Sequence, residues 1–200
     1  MFSSDKTVQN WVPQACFAVC ALGFAGLSLA ESNLTVGNAA SLSASAKLNF
    51  RVVVPRVIFF SVGTASAMAD NATVDEVAFS VPQNSVGSGT AVAATSGSGG
   101  YPVTARVIGL GSSVSLTATG TAGGLSNGTQ SVPWSQITPS AGGTLPHPAI
   151  GDGAAGVATT LAATGGVVDK TATWTFNYAN TLPLASGSYA GQVTYTAALP

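Results

Sequence analysis

Thr171-Ala172-Thr173-Trp174-Thr175-Phe176-Asn177-Tyr178 is the stretch that decides what kind of structure this chain forms. Ala172, Trp174, Phe176 and Tyr178 fall on every second position, with Thr171, Thr173, Thr175 and Asn177 between them. Successive side chains of a strand point to opposite faces, so this period of two predicts a strand with one face in a core. Thr and aromatic residues also suit a pleated surface. Toward the C-terminus, Tyr189, Gly191, Val193, Tyr195, Ala197 and Leu199 share one face in the same way.

Working back along the chain, the same reading predicts strands at 103–110 and 114–119, and shorter ones at 56–62, 74–81 and 90–95. Clusters of Gly, Ser and Asn separate them, and no amphipathic helix of useful length intervenes. Several short strands with turns between them predict an all-β antiparallel sandwich. Two stretches read as loops: 85–100, a Gly/Ser-rich mobile connection, and 120–166. A structureless loop as long as the second is uncommon in a compact domain, so 131–137 or 156–162 is expected to hold a strand or short helix. Within it, Leu145-Pro146-His147-Pro148 sets one histidine between two prolines, which impose an extended backbone.

Residues 1–30 read as a cleaved signal helix. An apolar stretch from Ala15 to Leu29 leads into Leu27-Ser28-Leu29-Ala30, with the small residues Ser28 and Ala30 at the positions that suit cleavage. The alternative is an uncleaved anchor, but the run falls short of the ~20 residues that span a bilayer, and no basic flank follows it. Cleavage leaves 200 − 30 = 170 residues with no membrane span, and Cys16 and Cys20 depart with the leader. The remaining domain has no disulfide to lean on in a compartment where disulfides persist. Its core must hold it, and a domain of that size buries roughly 70% of its unfolded surface. A secreted or cell-surface location is expected.

The 6 Lys+Arg and 7 Asp+Glu make only 6% of the chain charged, with a formal net charge of −1. That leaves no basic footprint for nucleic acid. With 2 Cys and 1 His, a clustered transition-metal site is hard to build and no cofactor is expected. The chemical motifs are sparse. Gly124-Leu125-Ser126-Asn127-Gly128 matches a nucleophile elbow, yet no helix follows and no acid lies between Ser126 and His147. Gly151-Asp152-Gly153-Ala154-Ala155-Gly156 matches a dinucleotide fingerprint without the strand and helix it needs. Asp70, Asp75 and Glu76 read as a solvated turn rather than a calcium loop. Neither Asp152 nor Asp169 has a spacing that pairs it with another acid. Asn33, Asn71 and Asn127 begin formal glycosylation sequons of the kind a Ser/Thr-rich chain contains by chance. No catalytic residue and no enzyme activity are expected. Trp174 reads as core, whereas Trp134, beside Pro133, is a possible ligand contact and supports the alternative reading, a secreted carbohydrate-binding module.

The alternation is longest in residues 41–54. Leu42, Ala44, Ala46, Leu48, Phe50, Val52 and Val54 share one face, against Ser41, Ser43, Ser45, Lys47, Asn49 and Arg51 on the other. Read as one strand, it would span about 46 Å, against ~17–20 Å for a typical strand. Either it bends between two sheets, or part of it overhangs and seeks a sheet edge in its own chain or a neighbour's.

The C-terminal residues 187–200 resemble the closing strand of chaperone–usher fimbrial (pilin) subunits, with Gly187 fourteen residues from the end and Tyr189, Val193, Tyr195 and Leu199 alternating after it. Leu199 stands where that family usually has an aromatic, and the family's frequent cysteine pair is absent. The Tyr-rich strand is also similar to that of cell-wall-binding WxL domains, without their paired W-x-L motif. The pilin resemblance implies an incomplete immunoglobulin-like sandwich over 48–200, completed by the N-terminal extension of another subunit. Residues 31–47 would be the donor, with Leu42, Ala44 and Ala46 inserted. Implied partners are copies of the chain or related subunits, and a secretion chaperone. The expected function is a non-enzymatic structural or adhesive surface subunit, assembling by strand donation.

Overall fold

The computed structural model describes residues 31–64, 68–96 and 101–200, so the expected signal helix at 1–30 lies outside the described residues. The chain divides into two compact units, Met1–Val53 and Val54–Pro200. In the first, residues 31–53 contain no strand and every one is exposed. The long strand expected at 41–54 is therefore not formed: the first strand begins at Ile58. One-sided alternation makes a strand only where a second backbone supplies hydrogen bonds, and no such ladder is present here.

The second unit is all β, with two short 3-10 turns at Gln83–Ser85 and Trp134–Gln136 and no other helix among the described residues. Its strands are β1 (Ile58–Val62), β2 (Val77–Ala78), β3 (Val92–Ala93), β4 (Thr95–Ser96), β5 (Val103–Leu110), β6 (Ser113–Gly120), β7 (Leu125–Ser126) and β8 (Ser131–Val132). After them come β9 (Ile137–Gly143), β10 (Ile150–Asp152), β11 (Thr159–Ala162), β12 (Val167–Tyr178) and β13 (Val193–Ala198). The decisive stretch lies in β12, the centre of the larger sheet. β5 pairs with the first part of β12 and β3 with its last two residues, while β9 runs along the opposite edge and β1 continues beyond β5. In the second sheet β6 is central, with β13 on one side and β11 followed by β10 on the other. Every pairing is antiparallel except that of β10 with β6. Two small ladders, β2 with β4 and β7 with β8, complete the unit.

The inner faces of the two main sheets share one apolar cluster: Val103, Ala105 and Val107 of β5, Val114 and Leu116 of β6, and Val168, Ala172, Trp174 and Phe176 of β12. Trp174 is 0% exposed, and its indole N–H donates to the Leu145 carbonyl at 3.1 Å. At about 25 cal/mol per Å², burying an indole of ~200 Å² stabilises the fold by about 5 kcal/mol. Leu145 belongs to the segment that leaves β9 in one sheet and reaches β10 in the other. The tryptophan thus ties that crossover to the core.

Three local expectations need correction. The segment 120–166 forms strand or 3-10 turn over about half its length. As expected, 131–137 holds β8 and the turn at Trp134–Gln136, and 156–162 holds β11, whereas β9 does not show in the sequence because Ile-Thr-Pro-Ser-Ala-Gly-Gly breaks strand propensity. Pro139 is tolerated because β9 is an edge strand, which needs no donor on its outer side. The 74–81 run pairs only at Val77–Ala78, and the 90–95 run is two short strands rather than one. The C-terminal strand starts at Val193, leaving Tyr189 and Gly191 in the connection before it.

Asn180, just past β12, was also not legible in sequence. It is 1% exposed with a φ of 53°, in the left-handed region that asparagine tolerates. Its Oδ1 accepts from the Gly87 N–H at 3.0 Å, while Nδ2 donates to the Ser85 and Thr90 carbonyls at 2.6 and 3.2 Å. This side chain replaces backbone ladders for the 85–90 loop. Asn180→Ala is expected to cost about 3 kcal/mol, from stranded backbone groups and left-handed strain. Urea unfolding checks this, and a cost below about 1 kcal/mol would contradict it.

Candidate functional site

Among the described residues, β13 has a partner on only one side. β6 pairs with it from Val193↔Gly120 to Ala198↔Ser115, and nothing pairs with its outer edge. β1, which lies close to β13, likewise has only β5 as a partner. The inward side chains Val193, Tyr195, Ala197 and Leu199 are half-buried, alternating with exposed Thr194, Thr196 and Ala198. Leu199 lies beyond the strand, packed near Gly109 and Gly111, while Arg56 Nη2 donates to the Pro200 carbonyl at 2.8 Å. The base of this edge is thereby fixed to the approach of β1.

The residues expected to form one assembly strand are divided by the structure. Val193 and Tyr195 sit on β13, with Leu199 just after it. Gly187 and Tyr189 belong to the preceding connection, where the Tyr189 hydroxyl lies within hydrogen-bonding reach of Gln130 Oε1 (2.9 Å) and the Ala185 carbonyl (3.0 Å). Leu42, Ala44 and Ala46 are exposed in the first unit. The same apolar face continues through Leu48, Phe50 and Val52 with larger side chains, Phe50 being 87% exposed.

Behind β13 stands His147. Its Nε2 is 2.7 Å from the Tyr195 hydroxyl, and its ring meets those of Trp174, Phe176 and Tyr195 edge-on, with centroids 4.6, 5.4 and 5.3 Å apart. Nδ1 is buried without a hydrogen-bond partner. Burial pushes the imidazole down to about 4, and the neighbouring Pro148 backbone offsets this only in part. Burial also raises the Tyr195 phenol well above its usual range. The two prolines flanking a lone histidine were the only sequence signal of this cluster.

The other candidates disperse. Ser126 Oγ donates to the Gln130 carbonyl and accepts from the Gly128 N–H, so it is not hydrogen-bonded to His147, and a second strand rather than a helix follows its turn. Asp75 accepts from the backbone and hydroxyl of Thr64, Asp152 from the Gly123 N–H, and Asp169 pairs with Arg106 at 3.1 Å. Asn127 caps its own turn through Thr129 and Gln130. No group of three or more metal-ligating side chains forms among the described residues. Comparison with family models, with curated proteins and with solved structures gives no match.

Trp134 is 8% exposed and donates its indole N–H to the Thr121 carbonyl at 2.8 Å. Gly120 is required beneath it, since a Cβ there would strike the indole ring. Trp134 and Asp152 line a recess of about 420 Å³ with Pro133, Ile137, Pro139 and Ile150. The indole is thus largely packed, and what remains accessible of it lines this recess. Trp134→Ala is expected to cost about 3–5 kcal/mol in denaturant unfolding, and Trp134→Phe about 1–2 kcal/mol. An unchanged unfolding curve for Trp134→Ala would instead mark the ring as free for a ligand.

Proposed function

We propose that this protein is an exported, non-enzymatic structural subunit of immunoglobulin-like β-sandwich architecture, which assembles by lending its N-terminal segment to the open edge of another copy. One observation carries the reading: an unpaired strand edge on a half-covered core exists in the same chain as an exposed, one-sided apolar segment that forms no strand. An added strand would satisfy the free N–H and C=O groups of β13 and shield its inner side chains. Each large donor side chain buried in this way contributes about 1.5–3 kcal/mol. Leu42, Ala44 and Ala46 are the inserted set, with Leu48, Phe50 and Val52 extending the same face. The partners are copies of the chain or related subunits, met at the cell surface after transit with a secretion chaperone.

Near-absence of charge supports this reading, because a free edge is usually protected by Lys, by Pro or by an inward-pointing charge. Residues 193–200 carry no charged side chain. Light scattering on protein beginning at Glu31 tests the proposal. Assemblies of many copies are expected, falling to monomer in Ala44→Asp/Phe50→Asp with the melting of the β unit unchanged. A wild-type monomer at every concentration, or assemblies indifferent to both substitutions, would refute strand donation.

A further inference from the structure

We infer that His147 is a proton-operated latch on β13: the neutral ring holds the C-terminal strand against the core, and protonation releases that strand while the larger sheet stays paired. The geometry sets this up. The 2.7 Å contact between His147 Nε2 and the Tyr195 hydroxyl is the one side-chain hydrogen bond from β13 to the segment that crosses between the sheets. In its neutral form the ring can donate from Nε2 to Tyr195 and leave Nδ1 as a bare lone pair. The protonated form must carry a second N–H at Nδ1, which is buried and without a hydrogen-bond partner, a cost that the neighbouring Pro148 carbonyl offsets only in part.

Among the described residues, no counter-charge faces the ring. From β12 it meets Trp174 and Phe176, and from β13 Tyr195, whose phenol stays protonated. β6 turns Val114, Leu116 and Ala118 inward, and the Tyr101 hydroxyl is engaged by the backbone of Phe176. Lys170 and Tyr178, on the inner face of β12, each stand four residues from Trp174, about 13 Å along the strand. The aromatic faces offer a cation some attraction, but they supply neither an acceptor nor a negative charge.

The direction of the effect follows. The ring titrates near 4 when docked and near 6.5 when released, so between those values the released state binds more protons. Docking is complete above 6.5, weakens as pH falls toward 4, and changes no further below. β13 yields first because it is an edge strand paired on one side only, whereas β12 is paired on both. This latch stands independently of strand donation.

Amide hydrogen exchange at pH 7.5 and 4.5, corrected for intrinsic rates, tests it on the full β unit with its N-terminal segment. Opening of residues 193–200 is expected to rise roughly 70-fold at the lower pH, with β5 and β12 changing far less. In His147→Gln, which retains an amide donor for Tyr195, the rise should fall below about 3-fold. Titration of the wild-type imidazole by NMR is a second measurement that needs no variant, with an expected midpoint near 4. A midpoint at or above 6.5, equal loosening of all strands, or an undiminished rise in His147→Gln would each overturn the latch.

Discussion

The crossover between the two sheets is held where Leu145 meets β12: its carbonyl accepts from the buried Trp174 indole, and the Thr144 and Leu145 N–H groups donate to the Thr171 carbonyl. Trp174 sits where β12 is paired on both sides at once, to Val103 of β5 and Ala141 of β9. No disulfide links the described residues, and one ion pair, Arg106 with Asp169, lies exposed at the surface, where such pairs contribute little. Cohesion rests on apolar packing around this indole. The crossover then delivers His147 to the space behind β13 and starts β10 parallel to β6, so the contents of the second sheet depend on where Leu145 is fastened.

Legibility in the sequence followed the number of neighbours a strand has. β5 was read to the residue and β12 over 171–178, where it is paired on both sides or nearly so, while its first four residues, Val167–Lys170, break the apolar alternation and were missed. β9 was invisible: an edge strand tolerates Pro139 and two glycines, since only one side of its backbone is committed. Residues 41–54 erred in the opposite direction. Their pattern is as regular as that of β12, yet periodicity reports which face a strand would bury, not whether a partner backbone is there. Asn180 and the His147–Tyr195 contact join residues far apart in sequence, so no local pattern announces them.

Scarcity of charge has a second consequence. The exposed face of β6 and its neighbours is a field of hydroxyls, with Thr119 opposite Thr194 and Thr117 opposite Thr196. Such a surface stays wetted without net charge, so the chain remains compatible with water while its edges go without the usual protective lysines. The candidate chemical motifs dissolve for the same compositional reason. In a chain with 24 Gly and 23 Ser, G-x-S-x-G and G-x-G-x-x-G arise from frequency, and the structure puts hairpin turns and loops at both places.

An acceptor strand must be docked well enough to present a straight edge and yet remain incompletely covered, and β13 satisfies both conditions by different means. Its main chain is held from one side by β6, and its side chains are held from behind by the aromatic group around His147. The second hold is titratable and the first is not. Acid therefore acts first on the side-chain hold, and the one-sided ladder to β6 opens more often once that hold is lost. If the open edge receives a segment of another copy, the new ladder on the free side would oppose the release that protonation promotes. Occupancy of the edge and the proton affinity of His147 are then linked: filling the edge lowers the ring's affinity for a proton further, and protonation weakens the hold on the donated strand by the same free energy.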